Sequence, residues 1–345
     1  ALAAGLNKVA RNHILIRDTS ALEQMRNVDV VVFDKTGTLT EGHPTVIGWL
    51  WAQGQEEHYK DVLLAAESTS DHPLAEAIVT ALEGEEQVIP AHLDGFESIA
   101  GKGVRVAYQG AEYWVGSHKL LKDYQANLSD ILADMLTQYE SDGNSIVYFG
   151  RENDLLAVIA IKDQLRVTSM EAIRELRIQD IEICMLTGDG ERTASSVAGS
   201  LGIMRFVADA MPDDKEDFIH KLQLQGKTVA MVGDGVNDAR ALSCADVSIA
   251  MGKGTDTLMD TAMITLRTSD LLLLPKVFRL SRQTVSLMYR NLFWAFIYNT
   301  VGIFVAAGVL YPVYDILLSP ALAGAAMALS CVSVALSSLR LSSRF

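Results

Sequence analysis

The sequence predicts an α/β fold, in which a doubly wound parallel sheet carries an inserted α+β domain and is followed by two transmembrane helices. Short apolar runs that end in Asp or Gly alternate with helical patterns, which is typical of a buried parallel sheet. The stretch 44–154 interrupts that alternation. Two uncharged apolar runs lie near the end of the chain, and each is about long enough to cross a bilayer.

The predicted domains follow one another along the chain. The chain opens without a methionine and in a helix-like pattern, so we interpret 1–27 as the end of a membrane helix and a connector in a longer or split protein. The doubly wound domain comprises 28–43 and 155–275, and the inserted domain comprises 44–154 between them. Residues 276–345 form the predicted membrane region.

Four apolar runs are predicted as strands of the parallel sheet, and a polar turn follows each of them: 28–33, 156–161, 181–186 and 228–232. Helical patterns lie between the strands, for example over 169–177 and 214–225. The inserted stretch has its own helical pattern over 61–82 and hairpin-like segments around 101–115. Because open α/β sheets bind ligands at the carboxyl ends of their strands, the polar turns mark the candidate site.

Charge is unevenly distributed along the chain. The net charge is −14, yet from Lys276 to the end there are six basic residues and one acidic residue. An acidic globular part is therefore joined to a slightly basic, apolar tail, and the acidic part argues against nucleic acid as a partner. Cys184, Cys244 and Cys331 lie far apart in the sequence, so their spacing indicates neither a disulfide framework nor a Cys-x-x-Cys zinc motif.

The two apolar runs near the end, 292–310 and 317–339, are predicted to cross a membrane, because uncharged runs of about 20 residues are rare in soluble proteins. Arg290 precedes the first run, Arg340 follows the second, and the loop between them carries Asp315. The positive-inside rule therefore puts both outer ends in the cytosol. A pair of buried helices in a soluble protein is the alternative.

The polar turns carry groups that suit phosphate chemistry. Asp34 follows the first strand as a candidate nucleophile, and Asp234 follows the last as a candidate metal ligand. A carboxylate that attacks a phosphate needs cations beside both anions, which Lys215 and Mg²⁺ would supply. Further polar groups at these turns belong to Thr187, Gly188, Asn237 and Asp238. The chain has no Gly-x-x-x-x-Gly-Lys-Ser/Thr sequence, which excludes an ordinary P-loop as the nucleotide site.

The phosphorylation domain of P-type ATPases, which has a haloacid-dehalogenase-like core, has motifs that resemble three segments here: Asp34-Lys35-Thr36-Gly37-Thr38, Thr187-Gly188-Asp189 and Gly233-Asp234-Gly235-Val236-Asn237-Asp238. The resemblance implies that Asp34 is phosphorylated and that Lys215 contacts the phosphate. It also implies that Mg²⁺ is held by Asp34, the Thr36 carbonyl and Asp234. The catalytic residues would be Asp34, Lys35, Thr36, Thr38, Thr187, Gly188, Asp189, Lys215, Asn237 and Asp238. Arg240 departs from the family, which usually has proline there.

The inserted domain resembles the nucleotide-binding domain of the heavy-metal (type 1B) P-type ATPases. That subclass has a Ser-x-His-Pro signature and a Gly-x-Gly, which are similar to Ser70-Asp71-His72-Pro73 and Gly101-Lys102-Gly103. A capped helix start and a plain turn are the structural alternatives for these segments. The resemblance implies that the adenine and ribose of ATP are contacted by Glu67, His72, Gly101, Gly103 and Gly116.

The apolar tail resembles that of the copper(I) subclass, whose helices carry Tyr-Asn and Met-x-x-Ser-Ser. The similar segments here are Tyr298-Asn299 and Met327-Ala328-Leu329-Ser330-Cys331. Thioether and thiol groups favour Cu⁺, although Asn, Ser and Met also serve packing in membrane helices. The resemblance implies a transported-ion site made of Tyr298, Asn299, Met327, Ser330 and Cys331, in which Cys331 replaces the second Ser of the motif.

With these resemblances, the sequence predicts the C-terminal part of an ATP-driven Cu⁺ exporter that uses ATP and Mg²⁺. Its expected partners are the transported ion, the lipid bilayer and the N-terminal half of the pump, with its actuator domain and earlier helices. The expected location is a bacterial inner membrane, crossed more than once, with the catalytic domains in the cytoplasm. The alternatives are a pump for Zn²⁺ or another divalent ion, a membrane-tethered phosphatase of the same core fold, and an inactive pump fragment.

Overall fold

The computed structural model describes residues 13–52, 56–70, 72–85, 88–126, 130–234, 238–252 and 262–307, and the single residues 324, 332 and 334. The strands in these ranges are β1 Ile14–Ile16, β2 Val30–Asp34, β3 Thr45–Trp51, β4 Gly95–Ile99, β5 Gly103–Tyr108, β6 Ala111–Gly116, β7 Ser145–Arg151, β8 Asp154–Lys162, β9 Glu182–Leu186, β10 Arg205–Val207, β11 Val229–Gly233, β12 Val247–Met251 and β13 Ile264–Leu266. The helices are α1 Ser20–Arg26, α2 Glu56–Glu67, α3 Pro73–Glu83, α4 His118–Asp123, α5 Asp130–Ser141, α6 Ser169–Ile178, α7 Glu191–Leu201, α8 Pro212–Leu224, α9 Ala239–Cys244 and α10 Leu273–Ala306.

The first sheet in the described part of the chain has the order β1-β13-β12-β11-β2-β9-β10, and its strands pair in parallel except for β1 with β13. Alternate side chains of β2 enter different cores. Val31 and Phe33 pack with α6, α7 and α10, while Val30 and Val32 pack with α8 and α9. Helices therefore cover both faces, which explains the uninterrupted apolar strands and confirms the predicted doubly wound sheet.

The second sheet belongs to the inserted domain and is antiparallel, with the order β3-β8-β7-β6-β5-β4. One face packs against α2 and α3 in a core that includes Phe149 and Ile159. The other face packs against α4 and α5 around Trp114, which is fully buried. An antiparallel sheet with helices on both faces is the α+β insertion that the sequence predicted.

Two predictions for the inserted region need correction. The run 156–161 lies in β8, which pairs antiparallel with β3 and β7 instead of joining the parallel sheet. A strand that is buried on both faces reads as one apolar run in either kind of sheet, so the pattern could not separate them. The predicted helix over 61–82 is two helices, because α3 begins anew at Pro73, whose missing N–H suits a first helical position.

The C-terminal helix α10 packs its first half into the core of the first sheet through residues such as Leu274 and Phe278. From Leu292 onward it carries large apolar side chains that are exposed, among them Phe296 and Phe304. Among the described residues, no helix is long and apolar enough to cross a membrane, so the predicted span at 292–310 is not found there. The predicted span at 317–339 falls almost wholly outside the described residues.

Candidate active site

The first feature of the site is the end of β2, the strand that lies between β11 and β9 in the sheet. Asp34 is its last residue and is buried. Lys215 approaches from the first turn of α8, and its Nζ lies 2.5 Å from Asp34 Oδ1 and 2.8 Å from Asp238 Oδ1. Burial would lower the pKa of Lys215, but the charges of Asp34 and Asp238 outweigh it and raise that pKa. A fixed positive charge therefore lies against the Asp34 carboxylate.

Three carboxylates converge at this sheet edge: Asp34, Asp234 and Asp238, here called the carboxylate cluster. One oxygen from each lies within 4.8 Å of the others. Burial, followed by the charges of Asp34 and Asp238, raises the pKa of Asp234 to about 7. Oxygen atoms from several carboxylates are the ligands that Mg²⁺ prefers, so the cluster fits this ion. Asn237, which the sequence placed beside Asp238, lies outside the described residues.

The turn after Asp34 depends on one glycine. Gly37 has φ of +70°, and a Cβ at this position would lie 1.5 Å from Asp234 Oδ2. The missing side chain therefore lets the Asp234 carboxylate lie directly on the turn that follows Asp34. The Thr36 carbonyl as a Mg²⁺ ligand stays a prediction. The hydroxyl of Thr38 is buried and has no hydrogen-bond partner among the described residues.

Two residues outside the set predicted from the sequence hold this turn in place. The Asp163 carboxylate accepts hydrogen bonds from the Thr40 hydroxyl at 2.5 Å and from the Gly42 amide at 3.1 Å. Arg166 is buried and donates through Nε to the Thr38 carbonyl at 2.9 Å, and through Nη2 to the carbonyl of Gly37. The polar turn after the run 156–161 was a signal for Asp163, but nothing in the sequence pointed to Arg166.

A second ion-pair group lies around Asp189, beyond the end of β9. The Lys35 ammonium forms an ion pair with the Asp189 carboxylate. Ser145, at the start of β7 in the inserted domain, accepts from Lys35 Nζ at 3.1 Å and donates to Asp189 Oδ1 at 2.8 Å. Thr187 also donates to Asp189, at 3.1 Å. Burial would raise the pKa of Asp189, but Lys35 and these hydrogen bonds lower it overall.

The predicted nucleotide residues occupy the inserted domain. Glu67 ends α2 and is buried, which raises its pKa to about 7. His72 caps α3, because its Nδ1 accepts from the Leu74 amide at 3.2 Å. The pKa of His72 is lowered because the ring is partly desolvated, and the charges of Asp189 and Lys35 also act on it. His72 therefore lies near the sheet edge that carries Asp34.

The three predicted glycines allow close backbone contacts. A Cβ on Gly103 would lie 2.1 Å from the Val115 carbonyl oxygen, and one on Gly116 would lie 2.1 Å from that of Lys102. A Cβ on Gly101 would lie 2.8 Å from Met211 Cε, which belongs to the residue before α8. The glycine loop of the inserted domain thus faces the helix that carries Lys215.

The predicted transported-ion residues are only partly described. Tyr298 and Asn299 lie on α10, where the Asn299 side chain donates to the Ala295 carbonyl at 2.9 Å. Met327, Ser330 and Cys331 lie outside the described residues.

Thr187, Gly188 and Asp189 follow β9, beside the Asp34 end of the sheet. The structure thus brings together the predicted residues around Asp34, while an ion site in the tail stays a prediction.

Comparisons with known proteins identify a family and several curated relatives. A family model described as a haloacid dehalogenase-like hydrolase matches residues 28–246. The copper-exporting P-type ATPase of Legionella pneumophila is 42% identical over 340 residues, which cover 99% of this chain and 46% of that protein. The silver exporting P-type ATPase of Salmonella typhimurium is 43% identical over 345 residues, which cover 99% of this chain and 41% of that protein. The chain therefore spans less than half the length of these curated relatives.

Solved structures give a consistent result. A zinc-transporting PIB-type ATPase superposes with a TM-score of 0.68 at 34% identity, over 99% of this chain and 54% of that one. A CPx-ATPase catalytic domain superposes with a TM-score of 0.65 at 28% identity, over 79% of this chain and 97% of that one.

The chain belongs to the haloacid dehalogenase-like hydrolase family. Its curated relatives at about 40% identity are heavy-metal P-type ATPases, which confirms the resemblance inferred from the motifs.

Proposed function

We propose that this chain is the catalytic part of a heavy-metal-transporting P-type ATPase and that Asp34 accepts the γ-phosphate of ATP. The observation that carries the proposal is the position of Lys215, whose ammonium bridges the carboxylates of Asp34 and Asp238 beside Asp234. A nucleophilic carboxylate, a fixed cation and carboxylates suited to Mg²⁺ are the groups that phosphoryl transfer to an aspartate requires.

In the proposed reaction, a carboxylate oxygen of Asp34 attacks the γ-phosphorus in line with the bond to the β–γ bridging oxygen. The new P–O bond forms as that bond breaks, and ADP leaves with the bonding electron pair. Lys215 neutralises charge on the attacking carboxylate and on the phosphoryl oxygens. Thr187 and Gly188, after the neighbouring strand β9, bind phosphoryl oxygens. Asp34, Asp234 and the Thr36 carbonyl would hold Mg²⁺, which would supply further neutralising charge when bound.

The inserted domain would bind the nucleoside part of ATP. Glu67 offers a buried carboxyl, and the glycines 101, 103 and 116 let the backbone come close to a flat base. The position of His72 supports this role. The charges of Asp189 and Asp34 both act on the pKa of its ring, so the ring lies on the side of the inserted domain that faces Asp34. ATP would therefore lie between the two sheets, with its phosphates toward Asp34.

Cu⁺ is the proposed cargo. The names of the two curated relatives reported above refer to copper and silver, and both proteins are more similar in sequence than the zinc-transporting structure. The Met and Cys in the tail segment are soft ligands that favour a monovalent soft ion. A zinc pump is the competing proposal, and the zinc-transporting structure is the observation in its favour.

We further propose that the pump is embedded in a bacterial inner membrane, with the two sheets in the cytoplasm. The uncharged sequence runs 292–310 and 317–339 and the exposed apolar side chains of α10 support this location. The remainder of the pump, with the actuator domain and earlier helices, would be the partner that completes turnover.

The experiment is phosphorylation of the full-length protein with γ-labelled ATP and Mg²⁺, followed by acid quenching. We expect an acid-stable, hydroxylamine-sensitive phosphoenzyme that Asp34→Asn abolishes. Asp217→Asn is the matched control, because Asp217 is exposed on α8 and lies outside the carboxylate cluster. A phosphoenzyme that survives Asp34→Asn would overturn the proposal.

The cargo is tested separately by measuring which ion stimulates ATP hydrolysis. Stimulation by Cu⁺ or Ag⁺ supports the copper proposal, and stimulation by Zn²⁺ alone replaces it with the zinc pump. Hydrolysis of small phosphate esters without any heavy-metal stimulation would instead favour a membrane-tethered phosphatase.

A further inference from the structure

A cluster of three metal-ligating side chains lies on the surface of the first domain, outside the candidate active site. Glu216 and His220 lie one turn apart on α8, and Cys244 is the last residue of α9. One ligand atom from each lies within 4.8 Å of the others, and His220 Nε2 is 3.9 Å from Glu216 Oε1. We call Glu216, His220 and Cys244 the helix-pair cluster.

The spacing is close to that of a tetrahedral metal site. Zinc lies about 2.0–2.3 Å from carboxylate oxygen, imidazole nitrogen and thiolate sulfur, so the ligand atoms lie roughly 3.3–3.8 Å apart. The 3.9 Å and 4.8 Å values exceed this range by about 1 Å at most. Small changes of side-chain torsion close that difference, because the Glu216 and His220 side chains are 26% and 52% exposed.

A second observation comes from Gln223, which fixes the orientation of His220. The Gln223 amide nitrogen donates to the Cys244 carbonyl at 2.8 Å, so its oxygen is turned toward His220 Nδ1 at 3.2 Å. An amide oxygen only accepts, so the proton of the neutral ring must lie on Nδ1. The Nε2 lone pair is then free and faces Glu216. Hydrogen bonding of the second ring nitrogen is the usual support of a metal-bound histidine.

Glu216 is oriented in a similar way. The Arg240 guanidinium binds Glu216 Oε2 at 3.0 Å, which leaves Oε1 on the side of His220. Arg240 also pairs with Asp213, so both ends of this guanidinium are held by carboxylates of α8. Arg240 is the residue at which the sequence departs from the proline that is usual in the resembled family.

The helix-pair cluster is separate from the carboxylate cluster. Lys215 precedes Glu216 on α8, but its side chain is buried and bound to Asp34 and Asp238. Glu216 and His220 project outward, where an ion from solution can reach them. Thiolate, imidazole and one carboxylate suit Zn²⁺, whereas the carboxylate cluster suits the harder Mg²⁺.

We propose that Glu216, His220 and Cys244 bind Zn²⁺, with a water molecule as the fourth ligand. Binding displaces the thiol proton of Cys244 to solvent, since the thiolate is the ligand. The ion would join α8, which carries Lys215, to α9, which directly follows Asp238. It would therefore stiffen the pair of helices that hold the Lys215–Asp238 ion pair.

Co²⁺ is the spectroscopic probe for this site. The purified full chain is titrated with Co²⁺ in excess Mg²⁺, which keeps the carboxylate cluster occupied by the harder ion. We expect one equivalent to produce a sulfur-to-Co²⁺ charge-transfer band and the intense visible bands of tetrahedral Co²⁺, and Zn²⁺ to displace both.

Substitutions assign the ligands. Cys244→Ser should abolish the charge-transfer band, and Gln223→Ala should weaken binding about 10-fold, as loss of a supporting hydrogen bond to a ligand does. His220→Ala should weaken binding at least as much. His92→Ala is the matched control, because His92 is an exposed histidine of the inserted domain. Thermal unfolding in the metal-free state verifies that each variant folds. The wild type and the control should gain more Tm with Zn²⁺ than the three cluster variants do.

The outcomes that overturn the proposal are equally definite. A charge-transfer band that persists in Cys244→Ser assigns the thiolate to another cysteine. Equal affinity in the wild type and His220→Ala removes the histidine from the site. The absence of any sulfur-to-Co²⁺ band in the wild type rejects the site altogether.

Discussion

Replacing Asp234 by asparagine probes the repulsion among the three carboxylates of the carboxylate cluster. In the folded chain the pKa of Asp234 is about 7, compared with an ordinary value of 3.8, because of burial first and then the charges of Asp34 and Asp238. Each tenfold change in proton affinity corresponds to about 1.4 kcal/mol. The ionised carboxyl therefore destabilises the metal-free fold by up to about 4 kcal/mol.

The sign of the pH dependence follows from proton binding. Between about pH 4 and pH 7 the folded chain holds a proton on Asp234 that the unfolded chain has lost. The contribution of this group to the free energy of unfolding is therefore greatest below about pH 4, and it falls as the pH rises through this window. Asparagine carries no charge at any pH, so the free energy of unfolding of the variant should lack the decrease that Asp234 causes as the pH rises.

The assay is urea denaturation in EDTA at about pH 5 and about pH 8. We expect Asp234→Asn to be more stable than the wild type by about 2–4 kcal/mol at the higher pH, and by no more than about 2 kcal/mol at the lower pH. Asp217→Asn, which removes the same charge from an exposed position, should change little at either pH. A variant that is less stable than the wild type at about pH 8 would refute the electrostatic reasoning. Addition of Mg²⁺ should stabilise the wild type and leave the variant almost unchanged.

Three further substitutions test the surroundings of Asp34. Gly37→Ala should lower the free energy of unfolding by about 1–3 kcal/mol, because alanine disfavours a φ of +70°; urea denaturation measures this effect. The same change should abolish phosphoenzyme formation, measured by γ-labelling, because the new Cβ would displace Asp234. Arg166→Met should lower the free energy of unfolding by about 2–3 kcal/mol, since the carbonyls of Thr38 and Gly37 lose a buried charged donor; an unchanged urea midpoint would contradict this. Ser145→Ala should cost about 1 kcal/mol through loss of the link between Lys35 and Asp189, which a shift in Tm would report.

The part of the fold that could be predicted from the sequence is the part that local patterns determine. Strand β2 ends at Asp34, and Thr187 and Asp234 directly follow β9 and β11. The parallel sheet brings these three strand ends together, as expected. The run in β8 was assigned to the wrong sheet, because burial on both faces gives the same pattern in parallel and antiparallel sheets.

Residues that act through long-range contacts could not be predicted in this way. Arg166 donates to carbonyls more than 120 positions earlier in the chain, and Ser145 meets Asp189 across the boundary between the two domains. Neither belongs to a spaced motif, so only the folded chain shows their role. Asp238 was predicted as a polar group of its loop, but its ion pair with Lys215 and its place beside Asp234 depend on how α8 packs against α9.

The charge balance around Asp34 bears on the form in which the proposed substrate, ATP, would bind. The carboxylate cluster carries up to three negative charges, and Lys215 neutralises one of them through its contacts with Asp34 and Asp238. Arg166 is nearby, but its guanidinium is committed to backbone carbonyls of the turn. A triphosphate alone would therefore meet net negative charge in a partly buried site, where Coulomb repulsion is stronger than in water. A divalent cation that accompanies the nucleotide would reverse this balance, because its charge offsets the burial and the neighbouring carboxylates that raise the pKa of Asp234, so Asp234 can lose its proton and become a ligand. The same three carboxylates that destabilise the metal-free fold are thus the reason that the site would accept the metal complex of ATP in preference to the free anion.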